Sequence, residues 1–156
     1  MRILMVCLGN ICRSPLAEGL MQAKLEQAGL SDFRVDSAGT GGWHAGESPD
    51  KRSILVARKY GIDIGNQRAR KFQREDFDRF DYIFVMDEAN KKDVLSLTER
   101  ALQRGRVHLF LPFCGISYPK EVPDPWYGNE SDFEAVYQLL DKACSLAVSK
   151  LLKSSP

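Results

Sequence analysis

Four short apolar runs divide the chain, and between them apolar positions return at helical spacing. Residues 2–6 (Arg-Ile-Leu-Met-Val) show no alternation, which suits a strand buried on both faces. Phe33 to Ser37, Tyr82 to Met86 and Val107 to Leu111 read as three further strands. From Pro15 to near Gly29 apolar residues recur every three or four positions, predicting an amphipathic helix that ends at that glycine. Ser48-Pro49 opens a second helix through Tyr60, stopped by Gly61. Glu88 to Leu102 reads as a third helix. Ser131-Asp132-Phe133-Glu134 has the form of a capping box and opens a last helix to about Leu152. Residues 38–46 and 112–128, marked by Gly and Pro, read as loops.

Strands alternating with helices predict an α/β fold: one domain over residues 1–156, with a four-stranded parallel sheet and helices on both faces. Sheets of this kind bind ligands beyond the carboxyl ends of their strands. Cys7, Ser37, Asp87 and the loop holding Asp124 each follow a strand end, so the topology draws them to one rim.

Composition narrows the function without naming it. A chain of 156 residues, 44% hydrophobic and 28% charged, is ordinary for a globular protein. A net charge of +1 points to neither nucleic acid nor an acidic membrane as partner. No apolar run reaches the length of a membrane span, and Asn10 and Arg13 interrupt any leader-like apolar core. Arg68, Arg70, Lys71 and Arg74 form a basic run that reads as a solvated face. Cys7, Cys12, Cys114 and Cys144 form no disulfide framework, and without a C-x-x-C pair or a His cluster no metal site is expected. Free thiols suit a reducing cytoplasm.

The densest chemistry lies in Val6-Cys7-Leu8-Gly9-Asn10-Ile11-Cys12-Arg13-Ser14-Pro15, a tight loop between the first strand and the first helix. Backbone N–H groups from Leu8 to Ser14 and the helix N-terminus make such a loop an anion cradle. Gly9 and Asn10 tolerate left-handed conformations, and Arg13 supplies a planar fork for phosphate-like oxygens. A cysteine at a helix N-terminus beside a cation favours its thiolate, so Cys7 is the candidate nucleophile. Expelling an alkoxide or phenoxide from a phosphate ester then calls for an acid. Asp124, stiffened between Pro123 and Pro125 and followed by aromatics, is the better candidate, although Asp-Pro also starts turns. His44 stands in a loop, and His108 reads as a core histidine within a strand.

Other residues carry two readings each. Ser14 either caps the first helix or donates to the Cys7 thiolate. Trp43, Trp126 and Tyr127 either pack over the rim or wall a slot for a flat phosphophenyl ring, too deep for phosphoserine. Cys12 is either an apolar filler or a thiol that traps oxidised Cys7. Cys114 and Cys144 read as structural.

The Val6–Pro15 stretch resembles the signature of the low-molecular-weight protein tyrosine phosphatases, and the Ser37-Ala38-Gly39-Thr40 loop resembles bacterial members more than animal ones. The resemblance continues through Val35-Asp36-Ser37-Ala38-Gly39-Thr40, Phe80-Asp81-Tyr82-Ile83, Met86-Asp87-Glu88 and Asp124-Pro125-Trp126-Tyr127-Gly128. It implies a cytoplasmic phosphomonoesterase that needs no metal or other cofactor and works through a cysteinyl-phosphate. It also implies phosphotyrosine-containing protein substrates, a cognate tyrosine kinase as a further partner, and inorganic phosphate as product and inhibitor. It favours Asp124 as general acid, Ser14 as donor to the thiolate, aromatic walls at Trp43 and Trp126–Tyr127, and Cys12 as resolving thiol. It makes Asn10 a residue that shapes the loop, with Ser37 as a partner; Asp87, after a strand end, is placed to orient polar groups near the site, and no proton-transfer role is assigned to it. Two rivals remain. A thiol-dependent arsenate reductase of the same fold needs closely spaced later cysteines, which are missing here. A non-catalytic phosphopeptide-binding module has no need of Cys7, Arg13 and Asp124 together.

Overall fold

The computed structural model describes residues 1–154. Strands β1 (Arg2–Cys7), β2 (Arg34–Gly39), β3 (Tyr82–Val85) and β4 (Val107–Leu109) form one sheet in the order β2-β1-β3-β4, with every pair parallel. The helical segments are α1 (Arg13–Gln27), α2 (Lys51–Lys59), α3 (Asp76–Arg79), α4 (Glu88–Leu95), α5 (Ala101–Arg104), α6 (Phe110–Phe113) and α7 (Glu130–Ser154). None of these helices is long and apolar enough to cross a membrane.

β1 lies inside the sheet, and Ile3, Leu4, Met5 and Val6 are fully buried, as its unbroken apolar run demands. Its pleat sorts them. Ile3, Met5 and Cys7 join a core built with α1, α2 and α7, whereas Leu4 and Val6 join Phe72, Phe77, Phe80 and Val94 on the opposite face. Helices therefore cover both faces of a four-stranded sheet, as expected. Ser37 is the fourth residue of β2 rather than its last, and Cys7 closes β1.

Helix ends depart from the sequence reading in instructive ways. α1 and α2 do stop at glycines: Gly29 and Gly61 sit at φ 77° and 81°, with Leu30 N donating to Leu25 O and Ile62 N to Ala57 O. The starts differ. The cap of α2 is Asp50, whose carboxylate accepts from Arg52 N at 2.8 Å, and not Ser48. The box opening α7 lies two residues earlier than expected: Asn129 Oδ1 accepts from Ser131 N at 3.0 Å, and Asp132 Oδ2 accepts from Asn129 N at 2.8 Å. Ser14 caps nothing, because α1 begins at Arg13 and has no side-chain cap.

The expected helix over 88–102 is two helices, α4 and α5. Between them hydroxyls compete for the backbone: Ser96 Oγ donates to Asp93 O, and Thr98 Oγ1 accepts from Arg100 N. β4 ends at Leu109, and Phe110 to Phe113 coil into one helical turn that includes Pro112, which has no N–H to offer a ladder. Nor is the basic run simply a solvated face. Arg70 donates to fully buried Asp76 at 3.0 Å and to Asp36 at 3.2 Å, tying β2 to α3.

Candidate active site

Residues 8–12 join the end of β1 to the start of α1 as a closed curl. Asn10 takes the left-handed turn at φ 56°, a conformation Asn adopts more readily than most residues. The carbonyls of this curl are engaged from outside. Cys7 O accepts from Thr40 N, Leu8 O from Gly41 N, Ile11 O from Asp50 N, and Cys12 O from the Ser53 hydroxyl. Among the described residues, no backbone N–H from Leu8 to Cys12 has a protein acceptor. Outward carbonyls and uncommitted N–H groups are the polarity an anion cradle requires. Gly39 lies beneath: a Cβ there would come within 2.8 Å of Leu8 O and 3.1 Å of Asn10 N.

Cys7 is 2% exposed, and its sulfur lies 3.0 Å from Ser14 Oγ. Asn10 Nδ2 donates to Ser14 Oγ at 2.8 Å and to Ser37 Oγ at 2.9 Å, while Asn10 Oδ1 accepts from Arg70 N at 3.0 Å. The Ser14 oxygen accepts from Asn10, and its proton is within reach of the Cys7 sulfur. Ser37 in turn donates to Glu18 Oε1 at 2.7 Å. Burial pushes the Glu18 carboxyl up to about 7, against the Ser37 hydrogen bond and with Asp36 adding to the rise. Neither Glu18 nor Arg70 stands out in the sequence. Both look like polar surface residues until their partners are known.

Arg13 is almost completely buried, 2% exposed. Its Nη1 donates to Asp87 Oδ2 at 2.7 Å and to Val122 O at 3.0 Å. Both Nη1 protons are thereby used, and the Nε–Nη2 edge makes no hydrogen bond to the described protein. Nη2 lies 3.6 Å from Asp124 Oδ2. Burial works against its charge, but Cys7, Asp87 and Asp124 outweigh this and hold the guanidinium more firmly protonated than usual. Asp87 serves two neighbours at once. One oxygen grips Arg13, and the other caps α4 by accepting from Asn90 N at 2.8 Å.

Asp124 forms the turn that its sequence context allows and lies beside Arg13. Oδ1 accepts from Trp126 N at 3.1 Å in a local turn, and Oδ2 faces Arg13. Asp124, Trp43, Trp126 and Tyr127 line one crevice of about 140 Å³ together with Cys7, Ile11, Cys12 and Arg13. Trp126 is 38% exposed, Trp43 72% and Tyr127 94%. His44 shares this lining. Its Nδ1 lies 2.6 Å from Glu47 Oε2, and its ring stands 5.8 Å from Trp126. By sequence it is only one of several possible acids, and nothing in its surroundings along the chain marks it as a wall.

The remaining cysteines differ in kind. Cys12 is buried in the curl, and burial, Asp50, Cys7 and Asp124 all push its thiol well up. Burial raises Cys114 to about 12 and Cys144 well above the ordinary thiol range, which fits structural roles. His108 packs among Tyr82, Phe84 and Phe113, and burial lowers its pKa, as befits a core histidine. Among the described residues no group of His, Cys, Asp and Glu is arranged to hold a metal ion.

Known proteins are similar to this one over the whole chain. Residues 2–155 match the family described as low molecular weight phosphotyrosine protein phosphatase. The pig (Sus scrofa) low molecular weight phosphotyrosine protein phosphatase is 39% identical over 153 residues, covering 96% of this chain and 94% of its own. A protein tyrosine phosphatase from Entamoeba histolytica, crystallised with Hepes in its active site, superposes with a TM-score of 0.93 at 36% identity, covering 99% of this chain and 98% of its own. A Drosophila arginine phosphatase superposes at 0.90 with 28% identity, over 97% and 98% of the two chains. With sequence and structure agreeing from end to end, the chain belongs to the low molecular weight phosphotyrosine protein phosphatases.

Proposed function

We propose that this phosphatase hydrolyses phosphotyrosine, and aryl phosphates generally, through a cysteinyl-phosphate on Cys7. The carrying observation is the pairing of Cys7 Sγ with Ser14 Oγ beneath uncommitted loop amides and the open edge of Arg13. The thiolate attacks phosphorus, and the P–O bond to the tyrosyl oxygen breaks. The loop amides of Leu8, Gly9, Asn10, Ile11, Cys12, Arg13 and Ser14, with the Arg13 fork, hold the equatorial oxygens as charge spreads over them. Asp124 delivers a proton to the departing phenoxide. As carboxylate it then takes a proton from the water that attacks the phosphocysteine, releasing inorganic phosphate and regenerating the thiolate. No step calls for a metal. The released phosphate fits the same cradle, which makes it a product inhibitor.

Substrate class follows from the walls. Ile11, Trp43 and Trp126 present apolar and aromatic surface over buried Cys7, so a flat ring reaches the sulfur with its faces covered. Phosphoserine is too short for that depth. Phosphoarginine, suggested by the Drosophila relative, carries a guanidinium that wants carboxylate partners, and among the described residues Asp124 is the one carboxylate lining the crevice. Tyrosine-phosphorylated proteins, a tyrosine kinase among them, are the partners in this reading, and the cytoplasm the compartment, consistent with four unpaired cysteines. An arsenate-reductase relay through Cys114 or Cys144 is disfavoured, since the two stand thirty positions apart in the chain and neither lines the crevice. A purely binding module gives no reason for the Cys7–Arg13–Asp124 set. Turnover of phosphotyrosine, phosphoserine and phosphoarginine peptides without metal, with Cys7→Ser as control, tests the assignment. Phosphotyrosine turnover that vanishes in Cys7→Ser is expected. Preference for phosphoarginine would overturn the substrate class, and turnover by Cys7→Ser the nucleophile.

A further inference from the structure

The Asp124 loop is anchored at two arginines. At its beginning Val122 N donates to Met86 O at 2.9 Å, and Val122 O accepts from Arg13. At its far end the anchor is Arg52, in the first turn of α2. Arg52 Nη2 donates to Trp126 O and Nη1 to Gly128 O, both at 3.2 Å, so the guanidinium grips the carbonyls two and four residues beyond Asp124. Its orientation is fixed from behind. Nε and Nη2 meet the two oxygens of Asp50 at 3.0 and 2.9 Å, the bidentate geometry that an arginine fork favours. Its plane lies 4.4 Å over Phe133 of α7 and 5.8 Å from Trp126.

The same turn of α2 holds the nucleophile loop. Asp50 N donates to Ile11 O at 2.8 Å, and Ser53 Oγ donates to Cys12 O at 3.2 Å. Thus residues 50–53 bind the outer side of the phosphate cradle with backbone and hydroxyl groups, and the acid loop with Arg52. An acid transfers a proton well only when its oxygen is held within hydrogen-bond reach of the leaving group.

We propose that Arg52 is a positioning residue for proton transfer, acting through the Trp126 and Gly128 carbonyls to hold Asp124 in register with Cys7. The proposal rests on Asp124 being the general acid. Arg52 touches neither the cradle amides nor the Cys7 sulfur, so its loss blunts proton donation while leaving phosphate binding intact.

The test compares Arg52→Met, which keeps the stem over Phe133, with Arg52→Lys, which keeps the charge but cannot fork. Each is assayed on phenyl phosphate and p-nitrophenyl phosphate, alone and combined with Asp124→Asn, with near-ultraviolet circular dichroism and phosphate inhibition as controls for folding. Arg52→Met should lower kcat about tenfold or more on phenyl phosphate, much less on p-nitrophenyl phosphate, whose leaving group needs little help. The phosphate inhibition constant should hold, and in the Asp124→Asn background the Arg52 changes should cost nothing more on either substrate. Equal losses on both substrates, or a full further loss in the double variant, would overturn the proposal while the acid assignment stands. If Asp124→Asn itself showed no leaving-group dependence, the acid assignment would fail and the proposal with it. Should Arg52→Met not fold, Arg52→Lys carries the same comparison.

Discussion

The Ser14 hydroxyl stands 3.0 Å from the Cys7 sulfur, and its oxygen accepts from the Asn10 amide at 2.8 Å. In the proposed mechanism the serine proton is directed to Cys7. Hydrogen bonds to charged groups contribute about 1.5–3 kcal/mol. Ser14→Ala should therefore lower kcat by roughly 10- to 100-fold, and slow inactivation by iodoacetate at pH 6, with phosphate inhibition little changed. Unchanged alkylation would mean that the contact does nothing for the thiolate.

Asp124→Asn keeps a side-chain oxygen for Trp126 N, so the local turn survives and the acid alone is lost. On phosphotyrosine, kcat should fall by roughly 10²–10⁴-fold, and the limb of the pH–rate profile that requires a protonated acid should disappear. Stopped-flow release of the phenol reads this step directly. An equal loss for phenols of very different acidity would mark Asp124 as structural.

Glu18 makes the fold sensitive to pH. Its carboxyl, pushed up to about 7 in the folded chain, ordinarily sits near 4.5. The folded state therefore favours the proton. That contribution to stability is fully present below about pH 4.5 and is lost as pH rises towards 7, where the buried carboxylate costs on the order of 3 kcal/mol. Glu18→Gln keeps an acceptor for Ser37 without a charge. Urea midpoints at pH 5 and pH 8 should converge in this variant relative to the parent chain. A parent–variant difference independent of pH would refute the burial argument.

A role for Cys12 as resolving thiol is testable by recovery from oxidation. In that role, peroxide would convert Cys7 to a sulfenic acid, and attack by the Cys12 thiol would form the S–S bond and release water. The loop must bring the two Cα atoms within about 7 Å. Mild peroxide followed by a thiol reductant should restore the parent enzyme but not Cys12→Ser, and phosphate should protect both. Full recovery of Cys12→Ser, or a mapped link to Cys114 or Cys144, would return Cys12 to a packing role.

Much of this architecture is legible in the chain because it is local. Residues 2–6 announce a strand covered on both faces, and the spacing from Cys7 to Arg13 is itself a loop followed by a helix. What the chain hides depends on partners distant in sequence. Arg70 looks solvated until Asp76 and Asp36 fold against it, and Glu18 looks like the wet side of α1 until Ser37 arrives. Arg52 resembles any charged residue near a helix start, since the carbonyls it grips lie more than seventy positions away. Caps slip for a different reason. Ser48, Asp50, Asn129 and Ser131 are all capping residues by type, and only the entering path of the backbone selects Asp50 and Asn129.

The proposed nucleophile and acid hang from parts of the molecule that should resist opening unequally. Cys7 ends an interior strand buried from Ile3 onward, whose amides should exchange with solvent only when the whole domain unfolds. Asp124 belongs to a peripheral loop whose far end is held by exposed bonds from Arg52, and that end should open at lower free energy. On warming, the two halves of the reaction should therefore fail in order. Hydrolysis of esters with reluctant leaving groups goes first, while the cradle still captures phosphate and activated esters still turn over.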